Sequence, residues 1–238
     1  MLKHAIILAG GSGTRLMPLT QDRPKALVEV DGLTLIEHQI KWLRSNGIEN
    51  IHISCSQKWL EMIKQKLGEG IDAVNDAKRP STQGIKAFTV KYYPETEAAD
   101  TGGGLKIVLD NANINERFLL CNVDDLNDID ISEMEKVQGN VMSLHRFRSQ
   151  FGVPKTNGEF IIDFLQKPET DFWVNEGVYI FEPGIKEMLT EKCNMEREVF
   201  PKLAASHKLR FYRHKGFWHT VNTVKDVTEF KKIIDDRD

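Results

Sequence analysis

Three glycines, an arginine and a lysine stand close together near the start of this chain, where residues 8–27 read LAGGSGTRLMPLTQDRPKAL. Gly10, Gly11 and Gly13 come directly after Lys3–Ala9 (KHAIILA), a continuous, β-branched apolar run that reads as a buried strand ended by glycine. Lacking side chains, they let backbone N–H groups approach a ligand closely, and successive N–H groups form a nest for an anion. Arg15 adds a planar, permanently charged donor suited to phosphate oxygens. Lys25 follows Pro24, whose fixed φ stiffens the loop and limits the entropy lost in aiming the ammonium. This is chemistry for a polyphosphate, cradled by backbone and neutralised by two cations. Two familiar phosphate loops do not fit. A dinucleotide fingerprint GxGxxG beginning at Gly11 needs glycine where Leu16 stands, and no GxxxxGK[ST] string occurs.

Such a loop has to be held by rigid elements. Thr34 with Glu37 forms a capping-box pattern, and Ile36, Ile40 and Leu43 make one apolar helical face before Gly47. Asn50–Cys55 reads as the next strand. A helix over Gln57–Leu67 follows, with Leu60, Ile63 and Leu67 inward and Gly68 as its stop. Phe88–Tyr92 and Arg117–Asn122 read as further strands, separated by a helix beginning near Thr101. Strands alternating with helices imply parallel crossovers and a sheet covered on both faces, with ligands at the carboxyl ends of the strands. In the second half, Val141–His145, Glu159–Leu165, Val174–Phe181 and Leu209–Arg213 are strand-like, with turns such as Asn157-Gly158 between them. Short helices are expected near Pro183–Leu189 and Arg197–Ala205, and a final helix from near Thr223 through Phe230 and Ile233. No repeat or linker interrupts the pattern. The expectation is a single α/β domain with a mixed, mostly parallel central sheet flanked by helices, Rossmann-like in character.

Composition narrows the partners. The chain has 238 residues, 40% hydrophobic and 28% charged, which suffices for a proper core. Its net charge of −3 argues against a nucleic-acid binder, which carries a basic surplus or stripe. Cys55, Cys121 and Cys193 are odd in number and widely spaced. They fit neither a disulfide framework nor a paired zinc site, so they read as buried small hydrophobes in a reducing cytoplasm. The apolar run Ala5–Ala9 is too short for a signal peptide or a membrane span, so no membrane partner is expected.

The glycine loop resembles the N-terminal signature of the sugar-1-phosphate nucleotidyltransferases (nucleotide-sugar pyrophosphorylases), LAGGxGTRLxPLTxxxPKxL, with nearly every position filled. The resemblance runs from Ile6 to Phe230 and implies the family's nucleotide-binding α/β fold, of GT-A type, in one nucleotidyltransferase domain over 1–238, with no added β-helix or acyltransferase domain. Its nucleotide-binding part would cover about 1–125 and its sugar-binding part about 126–238. It implies that Leu8, Ala9, Gly10, Gly11 and Gly13 wrap the nucleotide phosphates, and that Arg15 and Lys25 are catalytic. It also implies transfer of a nucleotidyl group from an NTP to a sugar-1-phosphate, releasing pyrophosphate, with Mg²⁺ as cofactor.

Four later segments bear on the resemblance. Thr101, Gly102 and Gly103 open the helix near 101, and its N-terminal N–H groups would face an anion or the base. The triple glycine Gly102–Gly104 is closest to the branch acting on manno-heptose or N-acetylmuramate phosphates, which points to GTP or UTP. Asn122-Val123-Asp124 resembles the family's Asn-Gly-Asp, so the resemblance places Mg²⁺ on Asp124, where a carboxylate just past a strand end suits a hard cation. Phe151-Gly152-Val153 and Phe164-Leu-Gln-Lys-Pro168 resemble the sugar-side motifs, with Gln166 replacing the usual glutamate. Gly152, Gln166, Lys167 and Asn175 would then bind the sugar phosphate, Lys167 at the phosphate and Gln166 with Asn175 at hydroxyls. Finally, Trp218-His219-Thr220-Val221-Asn222-Thr223 stands where the family has Trp-x-Asp-x-Gly-Thr. Thr220 therefore occupies the place of the second metal-binding aspartate, a far poorer ligand. Asn222 or Asp226 are substitutes, with Asp226 better read as an early residue of the last helix. The second ligand stays unassigned.

Two rival readings remain at this point. Val123, Gln166 and Thr220 together would suit a catalytically weak paralogue that binds nucleotide sugars and regulates a partner. A nicotinamide-dependent oxidoreductase lacks its third glycine. The sequence leaves room for a homo-oligomer.

Overall fold

The computed structural model describes residues 1–68, 88–95 and 99–235. Its centre is β1 (His4–Leu8), in which Ala5, Ile6 and Ile7 have no exposed surface. Successive side chains of a strand point to opposite faces. Ile7 accordingly joins one apolar cluster with Ile36, Ile40 and Leu43, while Ile6 joins another with Leu105, Val108 and Phe200. A strand apolar on both faces has to be covered on both, and helices do so here.

After β1 come a two-residue ribbon, β2 (Glu29–Val30) and β3 (Leu33–Thr34), and then α1 (Leu35–Ser45). The capping box forms as expected: Glu37 N–H donates to Thr34 Oγ1, and Glu37 Oε2 accepts from Thr34 N–H at 2.8 Å. β4 (Asn50–Ser56) leads through a 3₁₀ turn to α2 (Leu60–Leu67), shorter than the expected helix by that turn. Then follow β5 (Thr89–Glu95), α3 (Asp100–Asn111), β6 (Phe118–Asn122), β7 (Asp125–Asn127) and α4 (Ile131–Glu135). The second half contains β8 (Asn140–Arg148), β9 (Val153–Asn157), β10 (Phe160–Leu165) and β11 (Glu169–Phe181). It closes with α5 (Phe200–Ala205), β12 (Leu209–Arg213), β13 (Trp218–Thr220) and α6 (Val224–Asp235).

Seven strands form the main sheet in the order β12-β8-β11-β6-β1-β4-β5, and β11 alone runs antiparallel to its neighbours. The expected mixed, mostly parallel sheet is what forms. From β1 the chain moves outward through β4 and β5, then returns to place β6 on the other side of β1. That reversal opens a crevice at the carboxyl ends of β1 and β6, where ligands bind in open α/β sheets.

β9 and β10 make a separate hairpin whose Phe160, Ile162 and Phe164 are exposed. Its turn lies one residue later than Asn157-Gly158, because Asn157 pairs with Phe160 and leaves Gly158-Glu159 as the loop. The three cysteines are buried, and burial pushes the Cys55 thiol up to about 12, as inert apolar packing requires. Among the described residues, no helix is long and apolar enough to cross a membrane.

Candidate active site

At the end of β1, Ala9 N–H donates to Ser54 O of β4 at 2.8 Å, and Val123 N–H donates to Leu8 O at 3.1 Å. These bonds fix where the glycine loop leaves the sheet and where the chain after β6 passes beside it. Gly10 lies against the Glu95 carboxylate, with no room for a Cβ, whereas a Cβ on Gly11 would meet open space. Gly13 has φ +64°, a left-handed backbone that glycine adopts freely. The Thr20 hydroxyl donates to Gly13 O at 2.8 Å, and Leu16 is fully buried, so the loop is anchored in the core on its far side.

The loop walls a cleft of about 630 Å³ lined by Leu8, Gly10, Gly11, Gly13, Arg15, Lys25, Glu95, Asp100, Thr101, Asn122, Val123, Asp124 and Asn222, with Ser12 and Thr14. Sequence reading gave most of these a role; Ser12 and Thr14, inside the glycine-loop string, and Glu95 and Asp100, inside the segment leading into the helix near 101, were given none. Ala9 is buried behind the lining. A larger hollow beside α1, lined by Trp42, Phe217 and Phe230, lies away from the glycine loop.

At the cleft floor the Lys25 ammonium donates to Asp124 Oδ2 at 2.5 Å and to Asn222 Oδ1 at 2.8 Å. Arg15 donates to the same Asn222 oxygen at 2.8 Å. Both cations are therefore gathered at one point. Asp124 is held there by its neighbours: Gln39 Nε2 of α1 donates to Asn122 O at 3.0 Å and to Asp125 O at 2.8 Å, and Val221 N–H donates to Asp124 O at 2.9 Å. Asp125 points the other way and is buried. Burial first, then the Asp124 charge, raise its carboxyl to about 7 against hydrogen bonds from Asn122, Thr220 and Trp218. Val123, where the resembling family has glycine, packs its side chain into the core.

The oxygens of Asp124 and Asn222 already converge on a cation, the Lys25 ammonium. An all-oxygen donor set of this kind suits Mg²⁺, which binds through one or two carboxylates plus phosphates and keeps several waters. Among the described residues, no three His, Cys, Asp or Glu side chains are grouped to hold a metal, so an ion here would rest on few protein ligands.

Other expected residues are placed differently. The N–H groups of Gly102 and Gly103 do not face the cleft; both donate to Cys193 O, at 2.7 and 3.2 Å. A Cβ at Gly102 would lie 2.7 Å from Cys193 Sγ, and one at Gly103 would strike the Glu191 carbonyl. The triple glycine thus lets α3 dock against the segment around residue 193, and the expectation that these N–H groups face an anion or the base is corrected. Thr101 does line the cleft, yet its hydroxyl donates to Glu196 at 3.0 Å. Residues 96–98, between β5 and α3, lie outside the described residues.

Gly152, Gln166, Lys167 and Asn175 are not brought into this cleft. Gly152 and Gln166 are neighbours at the base of the β9–β10 hairpin, 3.1 Å separating a Gly152 Cβ from Gln166 Oε1. Lys167 is exposed at φ +47°. The Asn175 amide is engaged at both ends, donating to the Tyr179 hydroxyl at 2.7 Å and accepting from Gly177 N–H at 3.1 Å. Asp226 accepts from Asn222 N–H and Thr223 N–H at 2.9 and 2.7 Å, which makes it a capping residue of α6, as expected. His219 is tied to Asp226 O and packs on Phe230.

Comparison with known proteins places the chain in a family. A family profile described as "Nucleotidyl transferase" matches residues 4–237. Mannose-1-phosphate guanylyltransferase catalytic subunit beta of Dictyostelium discoideum is 31% identical, over 93% of this chain and 62% of that protein's length. Glucose-1-phosphate cytidylyltransferase of Salmonella typhimurium is 27% identical, over 93% and 92% respectively. The chain thus spans less than two thirds of the first relative and most of the second. Two solved structures share the fold: a UDP-glucose pyrophosphorylase with UDP-glucose (TM-score 0.75, 19% identity, 100% of both chains) and HddC from Yersinia pseudotuberculosis (TM-score 0.72, 20% identity, 98% and 100%). With the loop, both cations and the carboxylate in one cleft at the switch point of its sheet, the chain belongs to the nucleotidyl transferase family, that of the sugar-1-phosphate nucleotidyltransferases.

Proposed function

We propose that this chain transfers a nucleotidyl group from a nucleoside triphosphate to a sugar-1-phosphate, forming a nucleotide sugar and pyrophosphate. The observation that carries the reading is the convergence of Arg15, Lys25 and Asp124 in the cleft walled by Gly10–Gly13. A sugar-phosphate oxygen attacks the α-phosphorus in line. It needs no general base, because a phosphate monoester is already ionised at pH 7. The chain's work is positioning and charge neutralisation. The glycine loop holds the triphosphate, and Arg15 and Lys25 face the charge that develops on the transferring group and on departing pyrophosphate. Mg²⁺, held through Asp124, would neutralise phosphate oxygens when bound.

The first half, about 1–125, would carry the nucleotide, and the second, about 126–238, the sugar phosphate. GTP with a manno-configured sugar phosphate is the preferred pair, supported by several relatives named as mannose-1-phosphate guanylyltransferases. The Salmonella relative supports CTP with glucose-1-phosphate as the next pair, and UTP is third. Pyrophosphate release with Mg²⁺, across five nucleoside triphosphates and a panel of sugar-1-phosphates, tests the reading. One productive pair names the substrates. Silence from folded protein that still binds a nucleotide sugar would favour the regulatory paralogue, for which the replacement of aspartate by Thr220 is the specific motive.

A further inference from the structure

Thr220 stands where the resembling family has its second metal-binding aspartate, and Asn222 two residues on, where it has glycine. The two departures are joined by a hydrogen bond: Asn222 Nδ2 donates to Thr220 Oγ1 at 2.7 Å. The Thr220 hydroxyl oxygen, which carries two lone pairs, is the acceptor in this bond. At the other end, Asn222 Oδ1 receives Arg15 and Lys25, both obligate donors. The amide is thus oriented from both sides, its oxygen toward the cleft and its nitrogen toward the sheet. The backbone is fixed too, by Val221 N–H on Asp124 O and Asn222 N–H on Asp226.

Asn222 Oδ1 and Asp124 Oδ2 both contact the single Lys25 ammonium, at 2.8 and 2.5 Å, so the two oxygens face one point that a cation already occupies. We infer that Thr220 and Asn222 replace the missing carboxylate as a pair: Thr220 sets the amide, and the Asn222 carbonyl joins Asp124 in holding the divalent ion. An amide oxygen is a recognised ligand for hard cations but brings no charge. The ion takes the place that the Lys25 ammonium holds between these oxygens, and Lys25 is released with Arg15 to the phosphate oxygens.

The inference rests on the proposed reading of Asp124, and its test separates the two. Binding of Mn²⁺ to the full chain is followed by electron paramagnetic resonance, alone and with α,β-methylene analogues of each of the four ribonucleoside triphosphates. Thermal unfolding is recorded for every variant. Asn222→Gly is expected to weaken Mn²⁺ binding about tenfold, in the range seen when groups around a metal are removed. Thr220→Val, which frees the amide to turn, should weaken it by a smaller factor, and the double change Thr220→Asp with Asn222→Gly should restore it. A merely structural role for Asn222 would shift unfolding without that rescue. Loss of Mn²⁺ in Asp124→Ala with no change in Asn222→Gly and Thr220→Val would overturn this inference alone. No Mn²⁺ bound by the wild type, or none lost in Asp124→Ala, would overturn it together with the reading of Asp124.

Discussion

Lys25 and Asp124, 99 residues apart in sequence, meet through a 2.5 Å charge-assisted hydrogen bond at the floor of the cleft. Both side chains are largely buried, so each needs the other while no substrate is present. Lys25→Ala should lower turnover about 10²–10³-fold, the usual effect of removing one preorganised donor at a site of developing charge. Asp124→Asn should do as much. Because the two act as a unit, the double variant should fall little further than either single one. Steady-state kinetics on the four proteins of the cycle would show this; additive losses would mean that the groups act separately.

Gln39 is a fully buried residue of α1 whose amide donates to Asn122 O and Asp125 O, on either side of Asp124. Gln39→Met keeps length and volume but leaves two buried carbonyls without that donor. A buried acceptor left unpaired costs about 1–3 kcal/mol. Urea denaturation should show a loss of that order. Turnover should also drop, since the turn that aims Asp124 loosens. An unchanged unfolding midpoint would show that water or a backbone shift replaces the amide.

The sequence made the glycine loop legible because its chemistry is local: three glycines, Arg15, Pro24 and Lys25 lie in one string, after a run that can only be a buried strand. Asp124 was singled out through the resemblance of Asn122-Val123-Asp124, after an apolar strand, to the family's Asn-Gly-Asp. Asn222 was not assigned, since its partners Arg15 and Lys25 lie 207 and 197 residues away and only the folded chain joins them. The pairing of β7 with β13, three residues each, carries the approach of Asn222 to Asp124, and three positions are too few for a periodic signal. Gly102 and Gly103 misled for a related reason. A helix start rich in glycine looks like an open anion site until Cys193 O is seen to occupy its N–H groups. The one useful local clue to Asn222 was that two departures from the resembling pattern stood two residues apart.

Gly177 sits on β11 with φ +81°, and a Cβ there would run into the Asp125 carboxylate and approach Asn122 Nδ2 to 2.8 Å. The left-handed backbone alone costs a residue with a side chain about 1–2 kcal/mol. The collision adds to it, because Asp125 is buried and hydrogen-bonded and has nowhere to move. Gly177→Ala should therefore destabilise the chain beyond that range and impair turnover through the 122–125 turn. Thermal unfolding together with kinetics checks both, and a variant with wild-type stability would mean that Asp125 can be displaced freely.

His214 bridges two carboxylates, Nδ1 to Glu176 Oε1 at 2.5 Å and Nε2 to Asp128 Oδ1 at 2.9 Å. Glu176 is fully buried on β11, and its other oxygen, Oε2, has no partner among the described residues. A buried carboxylate in that position depends on a neighbouring positive charge. Burial pushes the His214 pKa down, but the hydrogen bond and charge of Glu176 and the charge of Asp128 outweigh it and hold the pKa above its ordinary value. His145 of β8 also faces the ring, edge-on at 5.7 Å. Because the folded pKa is raised, the contribution of this imidazolium is complete below the unfolded value, about 6.5, and is lost as pH rises through the folded one. Urea midpoints measured from about pH 6 to about pH 9 should fall more steeply for the wild type than for His214→Gln. Parallel profiles would show that folding does not raise the His214 pKa. The ends of β7 and of the segment entering β13 are tied together here, so apparent substrate affinity should weaken over the same interval.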